Sequence, residues 1–170
     1  MIQSEIYEIV DAIFYDSGIQ GTANNNWYND GLTVDLTSET YTEISKTTSN
    51  TGYYLCNIGD TPSSTSDITE FNSPFAIEFD ILGYSDSGGL TGLYFNDGST
   101  SGGHLFNGKF SNNETHHIKE VVTSTKISMY VDDEPTPFEW VKSFNNPMRL
   151  GLRVASTCSI KFKNFKIYPI

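Results

Sequence analysis

The last third of the chain constrains the fold most, because from His116 to Ile170 polar and apolar residues alternate with a period of two through three successive segments. Lys126-Ile127-Ser128-Met129-Tyr130-Val131-Asp132-Asp133, then Met148 to Val154, then Ser159-Ile160-Lys161-Phe162-Lys163-Asn164-Phe165-Lys166-Ile167-Tyr168 each read as a strand, with a turn after each of the first two. A period of two buries one face and leaves the other in water. Antiparallel strands solvated on one face build sandwiches, whose open face or loop end is where partners are met. In the final segment the apolar phase moves from Cys158, Ile160 and Phe162 to Phe165 and Ile167, which predicts a bulge at Lys163-Asn164.

The same reading extends upstream. Leu32, Val34 and Leu36 alternate with polar neighbours, and Tyr41 to Ser45, Tyr53 to Ile58, Leu90 to Phe95, His104 to Phe106 and Ile118 to Val122 are further short strands. The most hydrophobic strand runs from Pro74 to Leu82. Its Phe75, Ile77, Phe79 and Ile81 share the core face, and Ala76, Glu78, Asp80 and Leu82 share the other, so two carboxylates stand side by side on the opposite surface. Ser85-Asp86-Ser87-Gly88-Gly89 and Asn96-Asp97-Gly98 supply the positive φ that hairpin turns need. In all, roughly ten to twelve strands are expected at sandwich spacing. Asp16 to Asp30, with Gly18, Gly21 and Asn24-Asn25-Asn26, reads as a loop presenting Trp27 and Tyr28.

Residues 1–13 are different. Ile2, Ile6, Ile9 and Ile13 fall at spacings of four, three and four, a helical stripe. Two readings stand: a short neck whose Ile seam favours three chains or more, hence a homotrimer, or a helical lead-in packed on its own domain just before a first strand around Ala12 to Asp16. Residues 14–170 then form a single domain.

At 170 residues one core suffices, burying roughly 70% of the unfolded surface without staples. Cys56 and Cys158, each among apolar neighbours, read as buried free thiols, with a disulfide as the alternative. A net charge of -11 opposes phosphate backbones, so nucleic acid is not an expected partner. No apolar run approaches the ~20 residues of a membrane span, so no membrane insertion is expected. The N-terminus lacks the basic region and cleavage site of a secretory signal. Charged residues total only 18%, and the abundant Ser, Thr, Asn and Gly suit a surface that hydrogen-bonds neutral polar ligands.

The pattern Phe75-Ala76-Ile77-Glu78-Phe79-Asp80-Ile81, then Ile127 to Asp133, then Ile160 to Tyr168 resembles the concanavalin A-like superfamily, in its laminin G-like and glucanase-like branches, over roughly residues 12–170. The resemblance implies an all-β fold, an antiparallel two-sheet jelly-roll sandwich with a short N-terminal helix as an optional addition. It also implies a concave face or loop rim available to carbohydrate. Members include lectins, carbohydrate-binding modules, glycosidases, adhesin domains and the tips of phage fibres, so the resemblance selects a fold before an activity.

Glu78-Phe79-Asp80 looks like the first half of the Glu-x-Asp-x-Glu signature of jelly-roll glucanases. Retaining hydrolysis needs two carboxyls, one as nucleophile and one as acid. Leu82 stands where the second Glu belongs, so the proton donor is missing. The expected function is therefore non-catalytic binding of carbohydrate or a host cell-surface polymer, in a phage or archaeal-virus fibre or a microbial adhesin. The expected location is the virion surface, the extracellular space or a cell surface. Two alternatives stand beside it, a glucanase-like hydrolase with an altered acid and a structural module of virion assembly.

Aromatic rings stack on the apolar faces of sugars, while carboxylates and arginines bind hydroxyls. On that basis the candidate ligand-binding residues are Trp27, Tyr28, Glu78, Asp80, Tyr94, Trp140, Arg149 and Arg153. Arg149 and Arg153 share the polar face of their strand and, were it beside the Glu78 strand, would pair with Glu78 and Asp80 or join them in a groove. No motif requires a cofactor. Calcium is the candidate ion, with Asp97 and Asp132 as weak ligands in acidic turns. His116 and His117, adjacent in a strand, point to opposite faces and make a poor zinc pair.

Overall fold

A computed structural model describes residues 14–16, 27–58, 64, 67–86 and 89–170. The N-terminal stripe, with the neck and the homotrimer read from it, lies outside the described residues, as do Asn24 to Asn26 and Ser87-Gly88.

Two antiparallel sheets face each other, and strands are numbered in chain order. In one, the order is β11 (Phe138–Trp140), β10 (Ile127–Val131), β9 (His116–Val122), β6 (Phe75–Tyr84), β13 (Ser159–Pro169), β4 (Thr42–Ser45) and β3 (Thr33–Asp35), and β1 (Phe14–Asp16) also pairs with β13, making eight strands. The other has five, β2 (Trp27–Asp30), β5 (Gly52–Cys56), β12 (Arg149–Val154), β7 (Gly92–Asn96) and β8 (Ser101–Leu105). β6 and β13 form the centre of the larger sheet because their apolar faces are the most continuous. Phe75, Ile77, Phe79 and Ile81 of β6 face Ile160, Phe162, Phe165 and Ile167 of β13 in one layer, all at most 1% exposed.

The register of β13 against β6 shifts between Lys161 and Phe162 and again between Lys163 and Lys166. The second shift is the bulge that the phase switch predicts. Asn164 takes a φ of 54° there, a left-handed conformation that asparagine tolerates better than most residues. One unpaired residue thus returns Phe165 to the core after Phe162.

Trp27 and Tyr28 open β2 rather than decorating a loop. Trp27 faces inward at 4% exposure, stacks on Tyr54 with centroids 4.5 Å apart, and donates its indole N–H to Asp16 at 2.6 Å. A ring enclosed this way has no face for a sugar, so Trp27 belongs to the core; its asparagine-rich flank misleads because burial is decided by Tyr54 and Asp16, remote in sequence. Cys56 and Cys158 are both buried, at 0% and 2% exposure.

Candidate functional site

The outer face of the eight-stranded sheet carries the two carboxylates of β6. Cross-strand register sets Glu78 between Lys119 of β9 and Lys166 of β13, and Asp80 between His117 and Lys163. Glu78 receives the Lys119 ammonium at 3.0 Å on Oε1 and the Lys166 ammonium at 2.8 Å on Oε2, and the Tyr168 hydroxyl also donates to it. Burial opposes ionisation of Glu78, but the hydrogen bonds from Lys166, Tyr168 and Lys119 outweigh it and hold its pKa at about 2. His117 Nδ1 lies 3.0 Å from Asp80, and the Asn164 amide donates to its second oxygen at 2.7 Å. The His117 contact holds the Asp80 carboxyl below its ordinary value and raises the His117 imidazole above its own. Both carboxylates are thus ionised and occupied. Neither is a proton donor at neutral pH, and Leu82 takes the position of a third carboxylate.

The arginines correct an expectation. β12 lies in the five-stranded sheet, so Arg149 and Arg153 are on the opposite side of the sandwich from Glu78 and Asp80 and neither pair nor share a groove with them. Sequence alternation fixed the face of each strand but carried no information on which strands are neighbours.

On the outer face of the five-stranded sheet the register builds three rows. Asp30, Tyr53, Arg153, Gly92 and Leu105 form the first, Tyr28, Leu55, Gly151, Tyr94 and Gly103 the second, and Arg149, Asn96 and Ser101 the third. β5 and β7 flank β12, so their chains run about 10 Å apart. The rings of Tyr53 and Tyr94 nevertheless meet at 4.4 Å between centroids, inclined at 47°. They lean in over Gly151, the position of β12 between them that has no side chain; a Cβ there would also collide with the Tyr54 carbonyl oxygen.

Beside this pair lies a shallow cavity of about 150 Å³ lined by Asp30, Tyr53, Leu55, Tyr94, Asn96 and Arg149. Two of its polar groups are oriented by neighbouring side chains. The Asn96 amide donates to the Tyr94 hydroxyl at 3.0 Å, and the Arg149 guanidinium pairs with Glu70 at 3.1 Å. Burial pushes the Tyr53 hydroxyl above its ordinary pKa, opposed in part by the nearby Arg153 charge. The Nε atoms of Arg149 and Arg153 are both buried with no hydrogen-bond partner.

Of the residues singled out from sequence, Tyr28, Tyr94, Arg149 and Arg153 therefore share one face, joined by Asp30, Tyr53 and Asn96, which the sequence alone did not select. The sequence placed Tyr53 in a strand; its outward face and its partnership with Tyr94 come from the register. Trp140 stands elsewhere. Its ring is half-buried at the edge of the sandwich, against Phe144 at 5.6 Å and Phe95 at 6.4 Å, and a side chain at Gly102 would strike it. Trp140 thus covers the sandwich edge.

The acidic turn residues have local tasks. Asp97 accepts backbone N–H groups from Asn145 at 2.7 Å, Thr100 at 2.5 Å and Ser99 at 2.9 Å, and these, led by Asn145, outweigh burial and hold its pKa at about 2. Asp132 bonds His116 Nδ1 at 2.7 Å and accepts the His117 N–H at 2.8 Å. His116 and Asp132 belong to a second cavity of about 620 Å³, walled by Phe110, Pro137 and Phe138. Among the described residues, no group of three or more His, Cys, Asp or Glu side chains is placed to hold a metal ion.

No protein-family model matches the chain, and neither does any curated protein. Solved structures do match in fold. A Bacillus subtilis protein of unknown function with a galectin-like fold superposes over 92% of this chain and 95% of its own with a TM-score of 0.63 at 9% identity. LamAcat from Zobellia galactanivorans matches over 95% of this chain and 99% of its own, TM-score 0.59 at 9% identity. The carbohydrate-binding module CBM66 from Bacillus subtilis matches over 85% and 96%, TM-score 0.55 at 15% identity. At such identities the likeness is one of architecture alone, and it agrees with the strand pattern of β6, β10 and β13: the chain folds as an antiparallel two-sheet jelly-roll sandwich.

Proposed function

We propose that the chain is a non-catalytic carbohydrate-binding module that holds its ligand on the outer face of the five-stranded sheet. The observation that carries this reading is the Tyr53–Tyr94 pair converging over Gly151 beside a cavity lined by Asp30, Asn96 and Arg149. Rings that form a shallow platform stack on the apolar face of a pyranose, and the surrounding amide, carboxylate and guanidinium groups bind its hydroxyls. The fold it shares with CBM66, a carbohydrate-binding module, supports the same reading. Glu78 and Asp80 support the non-catalytic part of this reading. Both carboxylates are ionised and held by Lys119, Lys166, Tyr168, His117 and Asn164, on the sheet that does not carry the platform.

The ligand in this reading is a glycan or another host cell-surface polymer, and the setting a surface structure such as a virion fibre or a microbial adhesin. Glycan-array binding tests it. Specific binding that weakens about tenfold in Tyr94→Ala while the circular dichroism spectrum is unchanged is the expected result. A folded wild-type protein that binds nothing on a broad array contradicts it.

A further inference from the structure

Arg153 is the one feature of the platform that a neutral sugar does not explain. The chain has 21 Asp and Glu against 10 Lys and Arg, so a cation has acids to spare. Most of the other strand-borne cations use them: Lys119 and Lys166 hold Glu78, Lys161 lies 3.7 Å from Glu43, and Arg149 holds Glu70, while Lys163 stands opposite Asp80 in the register of the other sheet without a close ion pair among the described residues. Lys46, Lys109 and Lys142, without such pairs, donate to the carbonyls of Gly31, Leu105 and Ser101. Among the described residues the Arg153 guanidinium has neither an ion pair nor a hydrogen bond, and its Nε is buried without a partner.

A guanidinium stays charged at every physiological pH. Its desolvated donors are costly until something accepts from them. The surroundings keep this one open. Gly92 follows Arg153 in its row, and Gly103, whose Cβ position lies 3.7 Å from the Arg153 Cδ, follows Tyr94 in the next, so neither neighbouring position sends a side chain over the fork. Asp30, the acid in the row, is two strands away, about 10 Å along the sheet, with Tyr53 between.

We infer that the saccharide bound on this face carries a carboxylate, as in uronic or sialic acids, and that Arg153 receives it while the ring lies on Tyr53 and Tyr94. A guanidinium fork matches a carboxylate in bidentate geometry, which gives both strength and orientation. The inference rests on the proposed carbohydrate site and names the class of sugar that fills it.

The test is an array of uronate-, sialate- and sulfate-bearing glycans alongside neutral ones, followed by calorimetric titration of the best-bound carboxylated glycan and its carboxyl-reduced form. The expected result is a preference of about tenfold or more for the carboxylate, equivalent to about 1.4 kcal/mol, lost in Arg153→Met and only partly retained in Arg153→Lys. Met keeps an apolar stem on the sheet, and an unchanged melting temperature in both variants shows that the fold is intact. Equal affinity for the two forms, a preference for sulfate esters, or a carboxylate preference that survives Arg153→Met overturns the inference and leaves the carbohydrate reading standing. Failure to bind any glycan overturns both.

Discussion

The two outer faces of the sandwich treat charge in opposite ways. On the eight-stranded sheet, Glu78 and Asp80 are surrounded by Lys119, Lys166, Tyr168, His117 and Asn164, and each carboxylate oxygen meets a donor. On the five-stranded sheet two tyrosine rings meet over a glycine, one arginine is half-satisfied and another is bare. Cross-strand ion pairs stabilise a sheet by modest amounts, about 0.2–1 kcal/mol each. A face whose polar groups already satisfy one another offers little to a ligand, and a face with unmet donors beside aromatic rings offers more. The residues that look most like an active site in sequence, Glu78-x-Asp80, therefore belong to the face that holds the sheet together.

The largest effect that separates core from faces is Trp27→Ala. If Trp27 is the core residue described here, truncation costs about 3–5 kcal/mol, seen as a collapse of the urea midpoint; a stable variant that had only lost glycan binding would return Trp27 to the surface. Next is Tyr94→Ala. Removing half of the platform weakens glycan binding about tenfold, or about 1.4 kcal/mol, with a much smaller change in the denaturation midpoint. The mirror image is Glu78→Gln, which removes charge from the paired face: stability falls by about 1–3 kcal/mol and glycan affinity is unchanged. Loss of a polysaccharide-cleaving activity in that variant would contradict the non-catalytic reading.

Acid titration sharpens the same contrast. Glu78 has an ordinary value of 4.5 and is held at about 2 in the fold, so its contribution is present above 4.5 and is lost as pH falls toward 2. The wild-type stability curve should drop through that window, and Glu78→Gln should flatten it. The smallest effect is at His117. Its folded pKa is raised above 6.5, so its contribution is complete below 6.5 and is lost as pH rises through the folded value; Asp80 is lowered from 3.8, so its share is present above 3.8 and is lost as pH falls through the folded value. Both partners are partly solvent-exposed, so His117→Ala should remove only a few tenths of a kcal/mol between those limits.

The sequence made the strands of this fold readable because a half-buried strand prints its two faces directly. β6 sorts Phe75, Ile77, Phe79 and Ile81 from Glu78 and Asp80 as alternation predicts, and the bulge in β13 follows from its change of apolar phase. Long-range adjacency leaves no such print. Nothing local to Arg149 or Arg153 says that β12 lies between β5 and β7 instead of beside β6, so the expected groove of arginines and carboxylates dissolved and a tyrosine pair replaced it. Trp27 failed for the same reason, since the residues that bury it, Tyr54 and Asp16, come from other strands.

The most direct measurement of where ligand binds is a backbone amide NMR titration with the best-bound glycan. Binding on the five-stranded face predicts shifts concentrated at Tyr53, Leu55, Tyr94, Asn96, Gly151 and Arg153, with β6, β9 and β13 quiet. Shifts centred on Glu78, Lys119 and Lys166, or on His116 and Phe138 at the second cavity, would contradict it.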